Sequence, residues 1–136
     1  TFAGSDQLAA FADGLDIVVS VLPLTPETTG IMNAGFFGML ADGAFIINGG
    51  RGPQVDDDDL LAALGSGKIG GAALDVFAVE PLPQDHPFWT HPKVRVWPHV
   101  AAQTNATSAA EQVAAAITAM MDGSEPANRV DWSRGY

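Results

Sequence analysis

Asp16-Ile17-Val18-Val19-Ser20-Val21-Leu22 is a β-branched apolar run of strand length that stops at Pro23 and Pro26. Proline cannot continue a hydrogen-bonded ladder, so the run reads as a buried strand ending before Pro23. Three further runs match it: Ala44–Asn48 (AFIIN), Gly71–Val76, and Lys93–Trp97, the last also followed by proline. Between them lie helical patterns. Residues 33–40 read as a helix stopped by Asp42-Gly43, and residues 57–65 as a helix with Leu60, Leu61 and Leu64 on one face, ended by Gly65 and Gly67. Residues 5–13 suit a short helix capped by Ser5 or Asp6, and residues 105–122 an alanine-rich helix closed by Gly123. Val113, Ile117, Met120 and Met121 recur along that last helix at helical spacing, as a core-facing stripe would.

Strands alternate with helices at gaps of about 20 residues, the spacing of right-handed βαβ crossovers. The strands are apolar throughout, as expected where helices cover both faces of a sheet. The fold class is therefore α/β with a parallel sheet. In such sheets ligands bind beyond the carboxyl ends of the strands. Here those positions are Pro23–Thr28, Gly49–Pro53, Asp75–Pro81 and Pro98–Gln103.

Composition narrows the classes. Acidic residues number 16 against 6 basic ones, for a net charge of −10. Such a chain repels phosphate backbones and anionic membranes, which sets aside nucleic-acid and membrane partners. No apolar run reaches the roughly 20 residues of a membrane span. There is no cysteine, hence no disulfide frame or thiolate site, and a cytoplasmic origin is the expectation. Charged residues are 16% of the chain. That falls short of the roughly 25% of ordinary soluble domains and suggests surface covered by segments outside these residues. Asn105-Ala106-Thr107 spells a glycosylation sequon and reads as chance.

The strand ends hold the unusual residues. Gly49-Gly50 lets backbone approach a ligand closely, and Arg51 offers a planar fork of donors suited to a carboxylate. Asp75 ends an apolar strand and needs a partner, either a protein donor or a ligand amide. Glu80 precedes a proline and is held extended. His99 stands among apolar and small residues. Each has a plainer reading, as a surface arginine, a loop cap, a solvated carboxylate or a structural histidine. Together they place Arg, Glu and His on successive loops of one sheet edge, a plausible acid/base and anion-binding set. A carboxylate beside an imidazole stabilises the charged ring and fixes its tautomer. His99 is thus a candidate general acid and Arg51 a candidate clamp for an anionic substrate. No metal site is expected: His86 and His91 lack paired ligand spacing and read as exposed loop residues. The run Asp56–Asp59 lacks the glycine and spacing of a calcium loop and reads as a helix N-terminal cap.

The ordered motifs Leu22-Pro23-Leu24-Thr25-Pro26-Glu27-Thr28-Thr29-Gly30, Ile47-Asn48 to Arg51-Gly52, Ala73-Leu74-Asp75-Val76-Phe77, Glu80-Pro81-Leu82-Pro83 and Pro98-His99-Val100-Ala101 resemble the D-isomer-specific 2-hydroxyacid dehydrogenases. Ala101-Ala102 and the ending Val130–Tyr136 are most similar to the glyoxylate/hydroxypyruvate reductase A branch. The resemblance implies the second half of a Rossmann-like doubly wound parallel sheet over residues 1–103. It also implies a C-terminal helix and tail, 104–136, returning toward a substrate domain. Arg51 would bind substrate carboxylate and carbonyl, His99 would protonate the carbonyl oxygen, and Glu80 would hold His99 charged and oriented. Leu22, Pro23, Gly49, Gly50, Arg51, Asp75, His99 and Ala101 would face the cofactor, NADP by preference or NAD. The substrate would be glyoxylate, hydroxypyruvate or a similar small 2-ketoacid, and the complete enzyme a homodimer.

In the family a Gly-x-Gly-x-x-Gly phosphate loop and a ribose selector precede the matched motifs. The resemblance therefore implies a C-terminal part, inactive in isolation. Gly49-Gly50 departs from the larger pairs common in relatives, which implies looser backbone there. The alternative is a non-catalytic nucleotide-sensing or corepressor-like module of the same fold, which need not keep Arg51, Glu80 and His99 together.

Overall fold

The structure is a computed structural model and describes residues 1–132. It divides into a unit spanning Thr1–Ala101 and a second beginning at Ala102. The ending Ser133–Tyr136, part of the motif compared above, lies outside the described residues.

The first unit is built on a four-stranded parallel sheet: β1 (Ile17–Ser20), β2 (Ala44–Asn48), β3 (Ile69–Leu74) and β4 (Val94–Val96), in that spatial order. α1 (Leu8–Ala12) follows a turn of 3-10 helix at Ser5–Gln7, α2 (Ala34–Met39) links β1 to β2, and α3 (Asp57–Ser66) links β2 to β3. The α/β class and the parallel sheet stand as expected. The coverage of the sheet does not. β1 and β2 bury alternate residues: Val18, Ala44 and Ile46 are buried, whereas Ile17, Val19 and Phe45 are more than half exposed. The reason is topological. Strands in sequential order, joined by crossovers of one hand, receive all their connections on the same face. Phe36 and Phe37 of α2 and Leu60 and Leu64 of α3 pack there, and among the described residues the opposite face has no helix of this unit on it.

Local signals explain most element limits. Asn33 caps α2 by accepting from the Phe36 N–H, and Asp56 caps α3 by accepting from the Asp59 N–H. Asp59 in turn accepts the Ala34 N–H of α2 at 2.8 Å, so the acidic run caps two helices. Gly67 ends α3 in the left-handed conformation with φ of 83°. The first helix begins differently from expectation: Gly4 precedes its 3-10 turn with no side-chain cap, and neither Ser5 nor Asp6 caps it. β3 starts two residues earlier than the Gly71 its sequence suggested, because Ile69 is fully buried and Gly70 runs within the strand. At Gly71 a side chain would collide with the Phe45 ring of β2.

The two loop histidines also differ from expectation. The His86 Nδ1 accepts the Phe88 N–H, its ring packs 4.5 Å from that of Phe88, and its Nε2 lies 3.5 Å from Asp57. His91 likewise accepts the Lys93 N–H. Both are half-buried local caps, not solvated loop residues.

The second unit contains α4 (Ala106–Met121). The Asn105 side chain caps it through the Thr107 and Ser108 N–H groups, the structural use of the residue that begins the sequon. Its apolar stripe was expected to face a core, but Val113, Ile117, Met120 and Met121 are all more than half exposed. Among the described residues no helix is long and apolar enough to cross a membrane, and no group of three or more His, Asp or Glu side chains could hold a metal ion.

Candidate active site

The carboxyl ends of β1 to β4 carry the site, and the loops after β1, β2 and β4 are each pinned by a buried polar side chain. Asn48, the last residue of β2, is 1% exposed. Its Oδ1 accepts the Gly50 N–H at 3.0 Å and its Nδ2 donates to the Arg51 carbonyl at 3.1 Å. The Gly49-Gly50-Arg51 loop is thereby folded back on its own strand. Gly49 continues the sheet for one more bond, its N–H donating to the Ser20 carbonyl. Arg51 is exposed and spends one donor on the Gly50 carbonyl at 2.8 Å. Among the described residues no carboxylate lies within salt-bridge distance of it. Most of its guanidinium fork therefore remains available for an anion.

Asp75 follows β3 and is 7% exposed. Its Oδ1 accepts the Val100 N–H at 2.9 Å and its Oδ2 accepts the Ala101 N–H at 2.8 Å. The partner expected for this carboxylate is thus a pair of backbone donors from the loop after β4. That loop is strained just before the clamp: His99 has φ of 57°, in the left-handed region that side chains other than glycine seldom occupy. Such a residue costs about 1–3 kcal/mol and persists only where its surroundings impose it. Two charge-assisted hydrogen bonds to the next two residues are a sufficient cause.

His99 and Glu80 meet. The His99 Nδ1 lies 2.9 Å from the Glu80 Oε2, and the Glu80 Oε1 accepts the Phe77 N–H at 2.9 Å. One carboxylate thus joins the loop after β3 to the loop after β4. The hydrogen bond from His99 holds the Glu80 carboxyl below its ordinary value of 4.5, helped by the Phe77 N–H and by the charge of Arg51 nearby. Glu80 therefore stays ionised and accepts from Nδ1–H, which leaves Nε2 facing outward as the other ring nitrogen. The pair is about half exposed among the described residues.

Beside this pair an open cleft of about 300 Å³ is lined by Ile47, Gly49, Ala73, Trp97, Val100 and Ala101, with Asn48 and Asp75 as its polar residues. Of the residues expected to face a cofactor, Gly49, Asp75 and Ala101 line the cleft. Leu22 and Pro23 stand on the loop after β1 with their carbonyls accepting from the Gln54 side chain, and Gly50 is buried beneath Arg51's loop. Gln54 and Asn48 are the residues that sequence reasoning passed over. Their signal was present, since each is an amide side chain amid apolar neighbours, but their partners are not readable from spacing.

The run Gly65-Ser66-Gly67-Lys68-Ile69-Gly70 has the glycine spacing of a phosphate loop. It joins the carboxyl end of α3 to β3, so its helix end presents carbonyls where a phosphate needs N–H donors.

Residues 2–101 match the family model described as "D-isomer specific 2-hydroxyacid dehydrogenase, NAD binding domain". A glyoxylate/hydroxypyruvate reductase A of Serratia proteamaculans is 51% identical over all 136 residues, which span 44% of that relative. A D-isomer specific 2-hydroxyacid dehydrogenase of Xanthobacter autotrophicus Py2, solved in complex with NADPH and MES, is 47% identical with a TM-score of 0.95 over 99% of this chain and 56% of its own. An NADPH-dependent glyoxylate/hydroxypyruvate reductase of Sinorhizobium meliloti, solved in complex with NADP and sulfate, is 39% identical with a TM-score of 0.92 over 98% of this chain and 44% of its own. The chain thus spans less than half the length of the curated relative it matches.

Proposed function

We propose, from the premise that this chain belongs to the D-isomer specific 2-hydroxyacid dehydrogenase family, that it is the C-terminal part of a reductase. Its substrate would be glyoxylate, hydroxypyruvate or a similar small 2-ketoacid, reduced to the D-2-hydroxyacid. The observation that carries the reading is the Glu80–His99 hydrogen bond on a strained, Asp75-clamped loop at the carboxyl edge of the sheet. A corepressor-like module has no need of a histidine held in one tautomer.

A nicotinamide suits the cleft, whose walls are apolar apart from Asn48 and Asp75 and whose glycine at position 49 allows close approach. The phosphate-binding amides of such a cofactor would come from outside the described residues. When bound, the reduced nicotinamide supplies a hydride to the carbonyl carbon. The carbonyl π pair then moves onto oxygen, and His99 gives its Nε2 proton to that oxygen. Glu80 stabilises the charged ring before the transfer and fixes Nδ1–H toward itself. Arg51 binds the substrate carboxylate with its planar fork and offsets charge developing on the carbonyl oxygen. NADP is the cofactor we favour, in line with the NADPH and NADP of the two solved relatives. We place the complete enzyme in the cytoplasm as a homodimer, with residues 104–136 returning toward a substrate domain.

The test is NADPH oxidation by the complete enzyme with glyoxylate and with hydroxypyruvate. Replacing His99 by Asn should lower kcat by roughly 10²–10⁴-fold, the usual weight of a general acid. Absence of turnover with either ketoacid, or a His99→Asn enzyme with normal kcat, overturns the reading.

A further inference from the structure

We propose that Gln54 is a positioning residue: its buried amide sets the loop after β1 against the loop after β2, and so sets where Arg51 presents its guanidinium. Gln54 is 0% exposed, in the turn of 3-10 helix that follows Arg51. A side-chain amide has two N–H donors and a carbonyl with two lone pairs. All four are used. Nε2 donates to the Leu22 and Pro23 carbonyls, each at 3.0 Å. Oε1 accepts the Ser20 hydroxyl and the Arg51 backbone N–H, each at 3.1 Å.

The partners explain why an amide stands here. β1 and β2 are paired up to Ser20 and Asn48, and the last backbone bond between them is that of Gly49 to Ser20. Beyond that point the two chains separate, and no backbone ladder fixes the Leu22–Pro23 loop against the Arg51 loop. The Gln54 amide takes over there, bonding both chains at once. Core filling alone does not call for it, because methionine would fill a similar volume without a polar group to satisfy. Gly50 makes the room. A Cβ at position 50 would stand 2.6 Å from the Gln54 Oε1 and 3.0 Å from the Leu22 carbonyl oxygen. Gly50 therefore does not leave this loop loose: the space a side chain there would take is occupied by a fully bonded amide.

The kinetic part of the test rests on the reductase reading; the exchange part does not. Gln54→Met and Gln54→Glu are made in the complete enzyme. Positioning predicts that Gln54→Met lowers kcat/KM for the ketoacid by roughly ten- to a hundredfold, the scale of a misplacement near 1 Å, mainly through KM. It also predicts faster amide hydrogen exchange at Gly49 and Gly50, whose N–H groups are held by Ser20 and Asn48 and not by Gln54. Gln54→Glu keeps the acceptor side but, when ionised, sets an oxygen against the Leu22 and Pro23 carbonyls. Protonation restores one donor, so the ratio of variant to wild-type kcat/KM should climb as pH falls.

A Gln54→Met enzyme that melts earlier yet keeps wild-type KM and wild-type exchange at Gly49 and Gly50 makes the amide mere filling and overturns the proposal. If Gln54→Met does not fold, a flat ratio for Gln54→Glu across pH overturns it. If the wild-type enzyme reduces no ketoacid, the functional reading fails while the exchange data still decide the role of Gln54.

Discussion

Replacing Asp75 by Asn isolates the clamp that holds the His99 loop. In the native chain two carboxylate oxygens receive two backbone N–H groups, at 2.9 Å from Val100 and 2.8 Å from Ala101. Asparagine keeps one acceptor and turns an NH₂ toward the other N–H, so one charge-assisted bond is lost and two donors face each other. Each hydrogen bond to a charged group contributes about 1.5–3 kcal/mol. Relief of the carboxylate's desolvation opposes this, since Asp75 is 7% exposed, but the amide is buried as well and one donor stays unmatched. A net loss of about 1.5–3 kcal/mol acts on the loop that holds His99 at φ of 57°. If that loss falls on the geometry of proton transfer, kcat/KM drops by roughly ten- to a hundredfold, at about 1.4 kcal/mol per tenfold. Steady-state kinetics of the complete enzyme should be paired with amide exchange at Val100 and Ala101, which should quicken in the variant. Normal kcat/KM together with unchanged protection at those two amides would refute the clamp as the cause of the His99 conformation.

Three further outcomes are expected. Glu80→Gln should lower kcat/KM: Phe77 claims the amide oxygen, the NH₂ then faces His99 Nδ1, and the ring loses the acceptor that orients it. Wild-type kcat/KM in this variant breaks the pairing argument. Arg51→Lys should reduce kcat/KM roughly ten- to a hundredfold through loss of the planar fork, with little change in melting temperature, because Arg51 is exposed and its guanidinium bonds its own neighbour's carbonyl; a large melting shift with normal kinetics would make it structural. Asp57→Asn should alter the pH dependence of stability. Burial, foremost, raises the Asp57 carboxyl above its ordinary 3.8, so between that value and the raised one the folded state binds more protons than the unfolded state and stability falls as pH rises. The melting temperature of the variant relative to wild type should therefore improve across that window on raising pH, and a constant difference would contradict the assignment.

The legible parts of this fold were those written in local chemistry. β2 begins and ends where its apolar run does, and α3 carries its cap in Asp56 and its stop in Gly67. Misplaced features depended on neighbours distant in sequence. The start of β3 at Ile69 was missed because Gly70 looks like punctuation until the Gly43 backbone is beside it. Full apolarity of β1 suggested two covered faces, but strand order alone decides which face receives the crossovers. Glu80 and His99 were individually ambiguous, and the family pattern raised them before geometry joined them. Gln54 stood out only as an amide, and its partners Ser20 and Leu22 lie more than thirty positions away. Buried amides announce themselves only through partners, and those are a property of the folded chain.

The division of labour along the sheet edge follows from burial. Asn48, Gln54 and Asp75 are buried and spend their polar atoms on backbone groups of the ligand-facing loops. Arg51, Glu80 and His99 are exposed or half-exposed and carry the functional groups. A buried polar side chain that loses its bonds is costly, so the first set couples stability to loop geometry. An exposed side chain pays little for substitution, so the second set can be changed with the scaffold intact. Variants of the two sets should therefore separate on a plot of activity against melting temperature. Losses at Asn48, Gln54 and Asp75 should move along both axes together, while losses at Arg51 and His99 should move along the activity axis alone. A buried-set variant that loses stability without any loss of activity, or an exposed-set variant that loses both equally, would show that loop geometry here is not held by these side chains.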